Sequence, residues 1–106
     1  MKIYLAGPMT KMPRLNFPAF DKAAKQLRAQ GHIVFSPAEA DRLEYGKSLK
    51  EIRKHANYRD CLRKDLNWIL NHAEAIAILP GWKKSKGVKA EKALAVLDAQ
   101  YAAGKA

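Results

Sequence analysis

Only one cysteine, Cys61, occurs in the chain, so an internal disulfide is excluded and a reducing, cytoplasmic setting is expected. In its helical pattern Cys61 reads as a small packed side chain. The histidines His32, His55 and His72 are scattered, with no His-x-x-x-His pair and no second thiol at zinc spacing. No metal site is therefore expected. A serine nucleophile elbow is missing as well. No apolar run reaches the ~20 residues of a membrane span, and Met1-Lys2 leads directly into a strand rather than a signal peptide. No membrane partner is expected. Acidic residues are few, 10 against 20 Lys and Arg, which leaves a net charge of +10. Such a surface favours anionic partners: nucleic acid, free nucleotides or acidic proteins. Solubility alone is the plainer explanation, and charge does not separate a nucleotide enzyme from a nucleic-acid binder.

No repeat, low-complexity segment or linker interrupts the chain, so residues 1–106 form one domain with a modest core. Lys2–Ala6 is rich in β-formers and predicts a first strand. Gly7-Pro8-Met9-Thr10 is its exit loop, and a Gly directly after a strand suits close backbone approach to a ligand. Asn16 and Pro18 suit a helix start, with Phe17, Phe20, Ala23, Ala24 and Leu27 on its core face and Gly31 as its stop. Lys22, Lys25 and Arg28 fall on the other face. His32–Phe35 is a second strand closed by Ser36-Pro37. Strand, helix and strand with short links form a βαβ unit and imply a parallel sheet with a right-handed crossover.

Residues 38–47 are polar and weakly patterned and read as a loop, with room for a short helical turn. Gly46-Lys47-Ser48 mimics the end of a P-loop, but the motif's first Gly and its preceding strand are missing. Ser48 with Glu51 instead reads as a capping box opening a helical region that runs to about Asn71, with a break at Asn57. Lys47, Lys50, Arg53, Lys54, Arg59, Arg63 and Lys64 crowd that region against only Glu51 and Asp60. A solvated face and a phosphate-binding face are both open readings.

The stretch from Asp65 to Glu91 organises the rest. Ala75–Leu79 is apolar throughout, as a parallel strand covered on both faces should be. Pro80-Gly81 ends it, Ser85 caps a new helix, and Gly87 permits close approach of a ligand. Glu91 falls about one turn into that helix, near the carboxyl end of the strand, where open α/β sheets bind ligands. The expected fold is α/β: a small Rossmann-like three-layer domain with a parallel sheet of at least three strands. Asp65 and Glu91 are a candidate pair for covalent or acid–base chemistry, and equally a pair of surface carboxylates.

Taken together, Ala6-Gly7-Pro8-Met9-Thr10, Asn16-Phe17-Pro18-Ala19-Phe20, Asp65-Leu66-Asn67-Trp68, Leu79-Pro80-Gly81-Trp82, Ser85-x-Gly87 and Glu91 carry a resemblance. The chain resembles the small DUF4406 proteins within the nucleoside 2-deoxyribosyltransferase superfamily, and is similar to the nucleoside monophosphate N-glycosidases of that group. The resemblance implies that Glu91 is the nucleophile attacking the anomeric carbon, that Asp65 orients or protonates at the base, and that Tyr4 touches nucleophile or substrate. It places Gly7, Pro8, Met9 and Thr10 in the first substrate loop, and Ser85 and Gly87 at sugar or phosphate.

The expected activity is then cleavage of the N-glycosidic bond of a nucleoside or its monophosphate, by hydrolysis or base transfer, without a cofactor. A carboxylate below the sugar stabilises the positive charge that builds there and traps it covalently. A non-catalytic nucleotide binder and a basic nucleic-acid-binding module are the alternatives. A pocket this small suggests a homodimer.

Overall fold

Three short apolar segments assemble into one parallel sheet: β1 (Lys2–Ala6), β2 (Ile33–Phe35) and β3 (Ala75–Ile78). Their order is β2-β1-β3, so β1 is central. Tyr4 aligns with Phe35 on one side and Ile76 on the other, and Ala6 aligns with Ile78. The computed structural model describes residues 1–9 and 12–81. Thr10, Ser85, Gly87, Glu91 and the helix expected after Ser85 lie outside the described residues.

Helices α1 (Phe17–Ala29), α2 (Pro37–Tyr45), α3 (Leu49–His55) and α4 (Tyr58–His72) fill the connections. Alternation along β1 sends successive side chains to opposite faces. Leu5, with Val34 of β2, meets Phe17, Phe20 and Ala24 of α1, Ala38 of α2 and Ile52 of α3. Tyr4 and Ala6 point the other way, onto Ile69 of α4, with Phe35, Leu66, Trp68 and Ile76 around them. The central strand β1 is therefore covered on both faces, whereas β3, expected to be buried on both, is only half-buried with Ile78 exposed. The domain is a three-layer α/β fold compatible with a small Rossmann-like domain. Fully burying one such large apolar side chain is worth about 1.5–3 kcal/mol.

Local signals account for most boundaries. Pro18 stands in the first turn of α1, and Gly31 (φ 92°) stops the chain after its last turn. There the Gly31 N–H donates to the Arg28 carbonyl at 3.0 Å. Asn57 caps α4, its Oδ1 accepting from the Asp60 N–H at 3.2 Å. Ala73 and Glu74 separate α4 from β3, so α4 runs back along the sheet and its early turns lie toward the strands' carboxyl ends.

Three expectations change. Residues 38–47 hold more than the short helical turn allowed for in a loop, since the nine-residue α2 occupies Pro37–Tyr45. Its apolar stripe is narrow, with only Pro37 and Ala38 buried, which is why periodicity misses it. What holds α2 is tertiary. Arg28 grips Glu39 through two bonds of 2.6 Å and also donates to the Val34 carbonyl at 3.0 Å. Arg42 bonds Asp21 at 2.7 and 3.2 Å and lies 5.2 Å from the Phe17 ring centroid. Ser48 precedes α3, but its side chain makes no cap bond, so no capping box forms. Asn16 precedes α1 in a left-handed conformation, and its side chain makes no cap bond either. Among the described residues no helix is long and apolar enough to cross a membrane.

Candidate functional site at the carboxyl edge of the sheet

The exits of β1 and β3 lie side by side. The Leu79 N–H donates to the Ala6 carbonyl at 2.7 Å, carrying the pairing one residue past β3. A Cβ on Gly7 would come within 2.9 Å of Leu79 Cβ and Cδ1 and 3.1 Å of Phe20 Cζ. The close approach that Gly7 permits is thus to its own core. Gly81 turns with φ 88°, and a Cβ there would lie 3.3 Å from Pro8 Cγ. Pro8 is buried and Met9 half-buried, Met9 packing onto the α1 side of the core. The link from β1 to β2 covers one face, and α4, leading from β2 to β3, covers the other. This makes the β1/β3 boundary the switch point at which such sheets bind ligands.

The connection from β1 to α1 is bent hard. Arg14, Leu15 and Asn16 are consecutive left-handed residues, with φ of 52°, 52° and 59°. That conformation costs about 1–2 kcal/mol for a residue with a Cβ. Two backbone bonds hold the bend, Met12 N–H to Met9 O at 3.1 Å and Leu15 N–H to Met12 O at 3.0 Å. The strained turn lies on the exit loop of β1, in the kind of place where functional rims store strain.

Below this rim stands Tyr4, with no exposure to solvent. Its ring stacks on Phe35 at 5.5 Å and meets Trp68 at 6.4 Å. Phe35 and Trp68 stack at 5.2 Å, and Trp68 continues to His72 at 5.6 Å. This aromatic run is not apparent from sequence periodicity. The one hint is Trp68, three residues after Asp65 on the same helix. Asp65 belongs to α4, one turn before the Ile69 that packs on Tyr4. Tyr4 and Asp65 therefore share the α4 side of the sheet, and Asp65, half-buried, is a turn closer to the carboxyl edge than Ile69.

Asp65 also lines a small pocket between α2 and α4 with Ala40, Asp41, Glu44, Tyr45, Cys61 and Lys64. The Tyr45 hydroxyl lies 3.6 Å from Cys61 Sγ, and the thiol donates to Asp41 Oδ1 at 3.7 Å. Burial raises the Asp41 carboxyl above its ordinary range, against the thiol bond and Lys64. Burial, with the charges of Asp41 and Asp65, pushes the Cys61 thiol up to about 11. Cys61 is thus a half-buried thiol whose surroundings favour the protonated form at neutral pH. Lys64 pairs with Glu44 on the pocket's rim.

Of the expected site residues, Gly7, Pro8 and Met9 lie at the β1 exit, Tyr4 is buried beneath it on the α4 side, and Asp65 lines the separate pocket between α2 and α4. Thr10, Ser85, Gly87 and Glu91 fall outside the described residues. Among the described residues no three His, Cys, Asp or Glu side chains group as a metal site. A family model described as "Domain of unknown function (DUF4406)" matches residues 1–99. No curated protein and no solved structure matches the chain.

Proposed function

The chain belongs to the DUF4406 family, and from that premise we propose that it cleaves the N-glycosidic bond of a nucleoside or nucleoside monophosphate. One observation carries the reading: Tyr4 of the central strand packs onto α4, the helix that carries Asp65, although the two are far apart in sequence. The likeness to nucleoside 2-deoxyribosyltransferases supplies the third group, Glu91.

In this reaction the Glu91 carboxylate attacks the anomeric carbon. The bond to the base breaks, and its electron pair leaves with the base, which takes a proton from Asp65. A glycosyl–Glu91 ester remains. Water then attacks the same carbon, returns a proton to Asp65 and frees the carboxylate; a second base in place of water gives transfer. Tyr4 orients the nucleophile or the sugar. Gly7, Pro8, Met9 and Thr10 border the substrate on one side, and Ser85 and Gly87 hold sugar or phosphate on the other, where the helix expected from the sequence would offer free N–H groups. The reaction needs no cofactor. Two copies completing one another's pocket, in the cytoplasm, complete the reading.

The test is a screen of nucleosides and their monophosphates for released base by chromatography, with Glu91→Ala as control. Base release by the parent protein and none by the variant is expected. Ligand binding without product over long incubation would instead make the cleft a non-catalytic nucleotide site. Turnover retained in Glu91→Ala would remove that residue from the mechanism.

A further inference from the structure

The acids around α3 have their nearest partners elsewhere than on the lysines and arginines of that helix. Glu51 pairs with His55 at 3.1 Å, Asp60 with Arg63 at 3.2 Å, and Glu44 with Lys64. Lys47, Lys50, Arg53, Lys54 and Arg59, all exposed or half-exposed, have no carboxylate partner among the described residues. Three of these cations share a helix face: Lys50, Arg53 and Lys54 stand at i, i+3 and i+4 of α3. Ile52 points the opposite way and is 1% exposed, so the core fixes the cationic face toward solvent.

Like charges at this spacing oppose helix formation by about 0.2–0.5 kcal/mol per pair. The C-terminal dipole offsets part of this for Arg53 and Lys54 but does nothing for Lys47, Lys50 or Arg59. A seven-residue helix thus keeps three cations on one face with a single acid, Glu51, beside them, and no salt bridge among the described residues joins any of the three to a carboxylate.

We infer that this face, Lys47, Lys50, Arg53, Lys54 and Arg59, docks the phosphate backbone of a nucleic acid. The composition of the patch selects that partner. Among the described residues the large exposed apolar side chains are Met1, Ile33, Leu43, Tyr58, Leu70 and Ile78; Tyr58, beside Arg59, is the one that falls within the patch, and a single ring makes no apolar core. A protein partner needs an apolar interface core, and a membrane-lying helix needs an apolar face. A phosphate backbone needs neither, only cations at close spacing. Such docking is independent of glycosidic chemistry: either stands if the other fails.

The experiment measures fluorescence anisotropy of labelled single-stranded and duplex oligonucleotides of mixed sequence against salt concentration. The parent protein binds, with log K falling linearly in log salt. Combined Lys50→Gln, Arg53→Gln and Lys54→Gln lowers the steepness of that line by about two to three, since each phosphate contact contributes roughly 0.7–0.9. Lys2→Gln with Lys22→Gln and Lys25→Gln, three exposed cations outside α3, is the control for net charge and changes it less. If the triple variant loses fold by circular dichroism, the three single variants replace it, each expected to remove just under one. Equal losses in the α3 variants and the control overturn the inference. So does a parent protein that binds no oligonucleotide, or that prefers vesicles containing phosphatidylserine.

Discussion

The Gly7 backbone and the Leu79 side chain occupy adjoining space at the strand tips, with room for no methyl group between them. Leu79 and Phe20 come so close that position 7 tolerates only hydrogen. Because the nearest Leu79 atoms include Cβ, which moves only with its backbone, relief requires a shift of the β3 exit. Gly7→Ala should therefore cost about 1–3 kcal/mol through overpacking. Urea unfolding should show a lower midpoint with an unchanged slope. A midpoint equal to that of the parent protein would mean the two exits are not held as tightly as the distances imply.

Much of this fold is legible in the chain because local and tertiary signals agree. Lys2–Ala6 is strand by composition and by register, and Asn57 both interrupts the helical pattern and caps α4. The α2 helix is not legible, because its apolar stripe reduces to Pro37 and Ala38. Its stability comes from Arg28 and Arg42, which tie it to α1 and β2, and no periodicity reports such ties. Arg28 reads as a solvated cation on the outer face of α1, while in the fold it joins α1 to α2 and β2. The pocket joining Asp41, Tyr45, Cys61 and Asp65 is equally hidden, since it draws on two helices separated by a third.

The Arg28–Glu39 pair sets one arm of the acid response. The Arg28 guanidinium holds the Glu39 carboxyl below its ordinary value of 4.5. A depressed folded value means stability that is present above the unfolded value and lost as pH falls through the folded one. Arg28→Met should cost on the order of 1 kcal/mol at neutral pH. The deficit should shrink as pH falls below the ordinary Glu range, which a series of thermal melts will show. A deficit constant across that range would mean the pair contributes packing and no charge.

Asp41 works in the opposite sense. Burial lifts its carboxyl above the ordinary 3.8, so the folded state holds the proton more tightly than the unfolded one. Stability then falls as pH rises through the raised value. Asp41→Asn should therefore stabilise the domain at neutral pH, and the gain should vanish below the ordinary Asp range, where both states carry the proton. Melts of the two proteins compared at acid and neutral pH check the sign. The same surroundings keep Cys61 protonated, so its alkylation at pH 8 should run about tenfold or more below that of free cysteine.

Ser36 inverts a common expectation. It precedes α2, where a serine hydroxyl ordinarily caps the first turn, yet its Oγ is buried without any hydrogen-bond partner. Only the Ser36 carbonyl serves the helix, accepting from the Ala40 N–H at 3.1 Å. An unsatisfied buried hydroxyl costs about 1–3 kcal/mol. Ser36→Ala should accordingly be neutral or stabilising, against the loss of ~1 kcal/mol usual for a working cap. A clear loss in denaturant titration would show that the hydroxyl has a partner in solution.

Tyr4 separates packing from chemistry. Its ring is held by Phe35 and Trp68, and those contacts do not involve the hydroxyl. Tyr4→Phe should keep the ring in place and cost on the order of 1 kcal/mol in stability. If the hydroxyl orients the nucleophile or the sugar, base release should fall at least tenfold, a transition-state loss of about 1.4 kcal/mol. Tyr4→Ala would instead empty a core site at about 3–5 kcal/mol, a value typical of large aromatic deletions, and would confound the two effects. The conservative variant is thus the informative one. Turnover equal to that of the parent protein would leave Tyr4 a core residue and Asp65 without its neighbour in the chemistry.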